Sequence, residues 1–318
     1  MGEKDILIHV GIHKTGTTWL QKNIFATLNG NFHSLSLGGE GKASIARDFV
    51  RGQEGNLLNS FDLNQEVLNT ELAQTCLSEN TAENTVYVIS DERLGGNPHS
   101  AGFDAHTIMQ RLHKTFPKAK IFIVIREQRS WLLSNYFQYL TVGGTKSLKA
   151  YLNTAYDGKI PGFSPDFLKY HLMIGAYQNA FGKDRVLVLT YEQFKNDKAD
   201  FLKGLGAFTN RDIKTREDGF EQYENRTKQV FTHYYLRYFN KYITSSSLNV
   251  NHRGSGLGRL TGILLKKAMT MIAPVSWGEM LLNKLENYID DWTEGRYESS
   301  NEITSQLTGL DIKKKGYR

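Results

Sequence analysis

The chain has little cysteine, little proline and no long apolar run, and each shortage narrows what it can be. Cys76 is the only cysteine, which rules out an intrachain disulfide and a cysteine-built metal cluster and leads us to expect a reducing, cytoplasmic setting. Five prolines are too few for a stiff linker. No stretch approaches the run of about 18 apolar residues that would span a bilayer. The opening MGEKDILIHVG lacks the apolar h-region of a signal peptide, so a soluble chain without a transmembrane segment is expected. Internal repeats, zinc-ligand spacings and basic blocks interleaved with aromatics are also missing, which argues against a metal site and against nucleic acid as partner.

What is present suits a globular enzyme or binding protein. The 318 residues, 40% apolar and 23% charged, can bury a substantial core. The net charge of +6 favours an anionic ligand without naming it. Apolar, β-rich runs at 6–10 (ILIHV), 86–90 (VYVIS), 120–125 (KIFIVI) and 185–190 (RVLVLT) alternate with helix-like stretches such as 104–116 and 128–141. That alternation predicts a parallel sheet covered on both faces, the α/β class. Residues 29–64, polar and rich in Gly and Asn, are expected to form an irregular or partly helical insertion. Past residue 210 the strand signals stop; 222–244 and 257–289 look helical, with Ser, Asn and Gly between them. The expected organisation is one domain over 1–318, an α/β core at 1–210 and a mainly helical part at 211–318. Residues 257–282 are expected to form a packed helical hairpin or to touch a membrane surface, and Pro274 and Gly278 are expected to break the helix, which argues against a simple interfacial helix.

Gly11-Ile12-His13-Lys14-Thr15-Gly16-Thr17-Thr18 lies between the first strand and a helix. Free backbone N–H groups converge at such a junction and an anion fits there. The glycines allow the tight turn, Lys14 supplies a point charge, and Thr17 and Thr18 add hydroxyl donors. A Gly/Thr-rich helix cap that binds nothing is the bland alternative. The order is not that of a Walker A loop, whose Lys follows the second Gly, whereas Lys14 precedes Gly16.

A second junction follows the run at 121–125. Arg126 stands at the strand end, a costly place for a charge unless it meets a ligand, a partner or solvent, and Ser134 comes eight residues later on a helix. The carboxyl edge of a parallel sheet is where such sheets bind ligands. A third junction, Ser90-Asp91-Glu92-Arg93-Leu94-Gly95-Gly96, puts two carboxylates after the strand VYVIS.

His13-Lys14-Thr15-Gly16-Thr17-Thr18-Trp19-Leu20 resembles the 5′-phosphosulfate loop of sulfotransferases that use 3′-phosphoadenosine 5′-phosphosulfate (PAPS), and Arg126 through Ser134 is similar to their 3′-phosphate motif. The resemblance implies a P-loop-like three-layer α/β sandwich with a helical C-terminal extension, PAPS as donor and no metal. It implies donor contacts from Lys14, Thr15, Gly16, Thr17, Thr18, Arg126 and Ser134, with Lys14 also catalytic. Trp19 would stack on adenine or, equally, pack in the core on the first helical turn. Arg253, in the Gly-rich basic loop 251–256, is a further donor candidate or part of a surface loop.

Sulfuryl transfer needs a base for the acceptor proton, and the segment after VYVIS resembles the Ser-x-Glu of bacterial sulfotransferase-like sequences. Glu92 is the first choice, Asp91 the reserve, with His99 and His106 behind; His13 is expected to pack or to touch donor or acceptor. An ion pair of Glu92 with Arg93 or Arg126 is the structural alternative. Glu in place of His at this position implies a carbohydrate or similar polyhydroxyl acceptor. The segment 181–192, ending in Tyr191-Glu192, resembles the family's last core strand, with Glu192 either capping or pairing in the core. Ser300, Asn301, Ile303, Leu310, Gly316 and Tyr317 resemble the closing segment of bacterial members. A P-loop kinase and a non-catalytic nucleotide-binding module are the competing classes, the first lacking a Walker A lysine position and a clear Mg²⁺ carboxylate.

Overall fold

A computed structural model of the chain describes residues 5–26, 31–35, 85–154, 162–213, 226–243, 248–249, 264, 268 and 274–318. These residues group into two compact units, one formed by the N-terminal part to Glu127 with Asp166–Glu217 and Glu298–Arg318, the other by Gln128–Pro165 with Asp218–Tyr297.

The first unit holds a five-stranded sheet: β1 (Ile6–Val10), β2 (Phe32–Ser34), β3 (Val86–Asp91), β4 (Lys120–Ile125) and β5 (Val186–Thr190). Every pairing is parallel, in the order β2-β3-β1-β4-β5. The Val/Ile runs do this because both faces of each central strand are buried: Leu7, Ile8, Val88, Ile89, Ile121, Phe122, Ile123 and Val124 are all fully covered. The edge strand β2 lies inside the segment expected to be irregular; three residues are too few to show a periodicity against their polar flanks.

Side chains alternate across the sheet. On one face Leu7, Val88, Phe122, Val124 and Leu189 pack with Leu20 and Ile24 from α1 (Thr17–Asn23) and its C-cap, Phe194 from α6 (Tyr191–Asn196), and Phe201, Leu202 and Leu205 from α7 (Lys198–Thr209). On the other side α5 (Tyr170–Phe181) packs along β4 and β5 and meets α2 (Ala105–Thr115), with His113 edge-on to Phe181. The result is the expected three-layer sandwich. Helix starts follow local chemistry: the Thr190 hydroxyl accepts from the Gln193 N–H and the Asp197 carboxylate from that of Asp200. The closing helix α10 (Glu298–Thr308) packs on α5, so the end of the chain belongs to the sheet unit.

The described residues of the second unit are mainly helical. α3 (Gln128–Thr141), α8 (Arg226–Ile243) and α9 (Val275–Thr293) pack on one another, and the short α4 (Leu148–Leu152) carries Tyr151, whose ring stacks with Phe163. Asn240, fully buried on α8, donates to the carbonyls of Leu140 and Gly144, which satisfies the end of α3. Pro274 stands at the N-cap of α9, in keeping with the break expected there, but Gly278 lies buried inside the helix. Pro274 costs nothing at that position because the first turn needs no donor from it, and Gly278 is held by packing despite its low helix propensity. Among the described residues no helix is long and apolar enough to cross a membrane.

Candidate active site

The order β3-β1-β4 makes the chain leave β1 towards one side of the sheet and return on the other, so the carboxyl ends of these strands border a topological switch point. Three strand-end segments meet there: 11–16 after β1, 91–96 after β3 and 126–127 after β4. The β5 end contributes Tyr191 and Glu192 from the start of α6.

The loop after β1 turns through two left-handed residues, Lys14 (φ 68) and Gly16 (φ 91). For glycine this is free, but for a lysine it costs roughly 1–2 kcal/mol, which the surroundings must offset. They do so at its carbonyl, which accepts from Arg126 Nη1 at 2.9 Å. Thr15 Oγ1 donates to the Ile12 carbonyl at 2.6 Å, closing the loop from inside and spending that hydroxyl's proton. Thr17 Oγ1 is buried with no hydrogen-bond partner among the described residues, whereas Thr18 is exposed at the surface. A buried hydroxyl left unpaired costs about 1–3 kcal/mol, so the Thr17 hydroxyl keeps a donor to spare at the start of α1.

Two glycines explain why the turn after β3 lies against this loop. A Cβ on Gly11 would sit 2.7 Å from Glu92 Cα, and one on Gly95 would sit 2.7 Å from the Gly11 carbonyl oxygen. The Gly11 N–H also donates to the Asp91 carbonyl at 3.2 Å. Gly95→Ala should therefore lower stability by about 1–3 kcal/mol, the usual scale for forcing atoms into a filled space. An unchanged denaturation midpoint would show that the two turns can separate freely.

That contact brings Glu92 to the phosphate-type loop. Its Oε1 lies 3.6 Å from His13 Nε2. Burial holds His13 down at about 3, helped by His99, Arg93 and Lys14, so the imidazole is neutral near pH 7 and the contact is no ion pair there. Glu92 is raised above the ordinary carboxylate range, chiefly by burial and then by Asp91, against the charges of Lys14 and Arg93. Asp91 is occupied differently: its Oδ1 accepts from the Arg93 N–H at 2.8 Å and caps the short 3₁₀ turn Glu92–Gly95. Arg93 pairs with Asp104 at 3.5 Å. His99 is lowered to about 4 by burial and by the charges of Arg93 and Lys14, and His106 is exposed on α2.

Arg126 is 7% exposed. Besides its bond to Lys14, its guanidinium lies 4.6 Å from the centre of the Tyr191 ring, a cation–π contact of about 0.5–2 kcal/mol. Glu192 accepts from the Glu127 N–H and from the Tyr317 hydroxyl, so it pairs within the core. Trp19 is half-buried, edge-on to Phe194 with the Lys198 ammonium 4.7 Å above its ring. Ser134 lies on α3 in the second unit, half-buried, and Arg129 on the same helix pairs with Asp290 at 3.5 Å. Arg253 lies outside the described residues.

Some contributors carried little or no sequence signal. Tyr170 donates to the Arg126 carbonyl, and Gln21 on α1 donates to Ser90, whose hydroxyl also meets the fully buried His9. His9 stands on β1 with its ring stacked on Phe122, and burial alone brings it down to about 3. Its place in an apolar strand, one polar residue among Ile, Leu and Val, was the only hint available. No cluster able to hold a metal occurs among the described residues.

The chain is similar to a sulfotransferase from Alicyclobacillus acidocaldarius, with 16% identity over 81% of this chain and 100% of that one and a TM-score of 0.49. It is also similar to mouse sulfotransferase SULT7A1 complexed with PAP, with 15% identity over 89% of this chain and 90% of that one and a TM-score of 0.39. No curated protein matches it. The family model of the sulfotransferase domain matches residues 3–257, most of the chain. On that match the chain belongs to the sulfotransferase-domain family.

Proposed function

We propose that this sulfotransferase takes its sulfuryl group from PAPS and delivers it to a hydroxyl of a carbohydrate or similar polyhydroxyl acceptor. The observation that carries the reading is the convergence of Lys14 and Glu92, a cation on a phosphate-type loop beside a carboxylate with a raised affinity for protons. In the transfer the acceptor oxygen forms its bond to sulfur as the bond from sulfur to the leaving phosphate oxygen breaks. Lys14 offsets the negative charge that collects on that leaving oxygen. Glu92 takes the acceptor's proton, a role open to it because Asp91 is committed to capping and His13 is buried beside it. Thr17 offers its unpaired hydroxyl to the donor, and Trp19 has an aromatic face suited to adenine. A donor-loaded screen of glycans, lipids and phenols tests the proposal: sulfated glycan as main product supports it, and sulfation of phenols alone overturns the acceptor class.

Arg126 is assigned to the donor's 3′-phosphate, supported by its buried place at the end of β4 and by the guanidinium's suitability for phosphate. For Ser134 the assignment rests on the motif alone. Arg126→Ala should weaken 3′,5′-bisphosphoadenosine by roughly tenfold or more, on the scale of a hydrogen bond to a charged group. Adenosine 5′-phosphate, which lacks the 3′-phosphate, should bind much as before. Calorimetry with both nucleotides is the check, and equal losses for the two would remove the assignment; Ser134→Ala is read the same way.

A further inference from the structure

We propose that Glu192 and Tyr317 are positioning residues for Arg126, bracing the backbone at 126–127 so that the guanidinium is presented to the donor. The inference rests on Arg126 as the 3′-phosphate ligand and deepens that reading.

The strand end is held on both sides of one peptide unit. The Arg126 carbonyl accepts from the Tyr170 hydroxyl at 2.6 Å, and the next N–H, that of Glu127, donates to Glu192 Oε1 at 3.0 Å. The other carboxylate oxygen of Glu192 accepts from the Tyr317 hydroxyl at 2.9 Å. Tyr170 and Tyr317 are each 1% exposed and meet edge-on, with ring centres 6.5 Å apart. The brace thus runs from the end of the chain to the end of β4. Tyr317 is itself anchored: Gly316 turns left-handed at φ 93, the Tyr317 N–H donates to the Ile312 carbonyl, and Asn301 donates to the carbonyl of Arg318.

A device for stability alone has cheaper solutions than a half-buried carboxylate, whose partial desolvation must be offset by hydrogen bonds. Burial does push Glu192 up, while hydrogen bonds from the N–H groups of Glu127 and of Glu192 itself, the Tyr317 hydroxyl and the charge of Arg126 work against that push. The network fixes the one strand end that carries the buried guanidinium, and that guanidinium in turn holds the carbonyl of Lys14. Bending the 126–127 peptide would therefore shift the cation away from the group it is aimed at. Preorganisation of this kind is felt as affinity for the group the cation meets.

Calorimetry with 3′,5′-bisphosphoadenosine and adenosine 5′-phosphate on the full chain tests it, using Tyr317→Phe, Glu192→Gln and Arg126→Ala with a thermal melt of each. Tyr317→Phe keeps the ring and removes one hydroxyl, so it is the variant expected to stay folded. It should weaken the bisphosphate by about three- to tenfold, the scale of one lost hydrogen bond, and leave the monophosphate within about twofold. Glu192→Gln should do the same more strongly, and the KM for donor should rise with kcat nearly kept. Losses of both nucleotides in parallel with a lower melting temperature would overturn the proposal, because that is what a purely structural role produces. So would unchanged bisphosphate affinity in Tyr317→Phe and Glu192→Gln while Arg126→Ala loses it, which would leave the Arg126 assignment standing without its brace. If Arg126→Ala fails to discriminate between the two nucleotides, the assignment of Arg126 falls, and the brace with it.

Discussion

Lys14→Ala should fold and still transfer sulfate about 10²- to 10³-fold more slowly, the scale for removing one preorganised electrostatic contact, roughly 2.7–4 kcal/mol. The charge of Lys14 bears on Glu92, opposing the rise that burial causes, and adds to the lowering of His13 and His99. Its backbone is already left-handed and tied to Arg126, and alanine keeps both the strain and the carbonyl. Stability should therefore change little in Lys14→Ala, while Lys14→Gly, which relieves the strain, should be about 1 kcal/mol less strained in the loop yet equally slow. Lys14→Arg should not restore the rate in full, because a planar fork does not replace a compact ammonium on a point of charge. Single-turnover transfer beside a melting curve separates these effects; near-normal turnover in a folded Lys14→Ala protein would remove the residue from the chemistry.

Glu92→Gln is the second large effect expected: transfer down by roughly 10²-fold or more with donor affinity nearly intact, since a base acts on the acceptor's proton. A base works only when deprotonated. Activity should accordingly rise with pH through the Glu92 pKa, and burial together with Asp91 places that rise above the range of an ordinary glutamate. His13 and His99, brought down to about 3 and about 4, are already neutral there and add no step of their own near neutrality. Asp91→Asn is the control. Asparagine caps a turn nearly as well as aspartate, so its effect should be small apart from a modest lowering of the Glu92 pKa. Loss in Asp91→Asn with a wild-type Glu92→Gln would move the base by one residue; two active mutants would turn attention to His13 or His99.

The strands were legible because a central strand of a parallel sheet needs apolar residues on both faces, which leaves unbroken runs such as Ile121–Ile125 in the chain. The edge strand β2 escaped because it is short and pairs on one side only. Gly278 misled for a related reason: propensity is a local preference of up to about 1 kcal/mol, and tertiary packing around α9 outweighs it. The turn after β1 was legible as a strand-to-helix junction because its glycines, lysine and threonines are contiguous in the chain. That Asp91 rather than Glu92 caps the turn after β3 was not, since two adjacent carboxylates look alike in a sequence.

By itself the sequence determined the α/β class, the strand-to-helix junctions and the kind of residue standing at each, because those follow from runs and spacings of neighbouring residues. Only the tertiary structure decided that Gly11 and Gly95 let Glu92 approach the loop of Lys14, that Arg126 spends a donor on the Lys14 carbonyl, and that Tyr317 reaches back to Glu192. These contacts join residues as far as 125 positions apart. No local preference encodes them; they exist because burial of both sheet faces fixes which strand ends are neighbours, and a buried polar group must then find its partner among whatever those ends bring together.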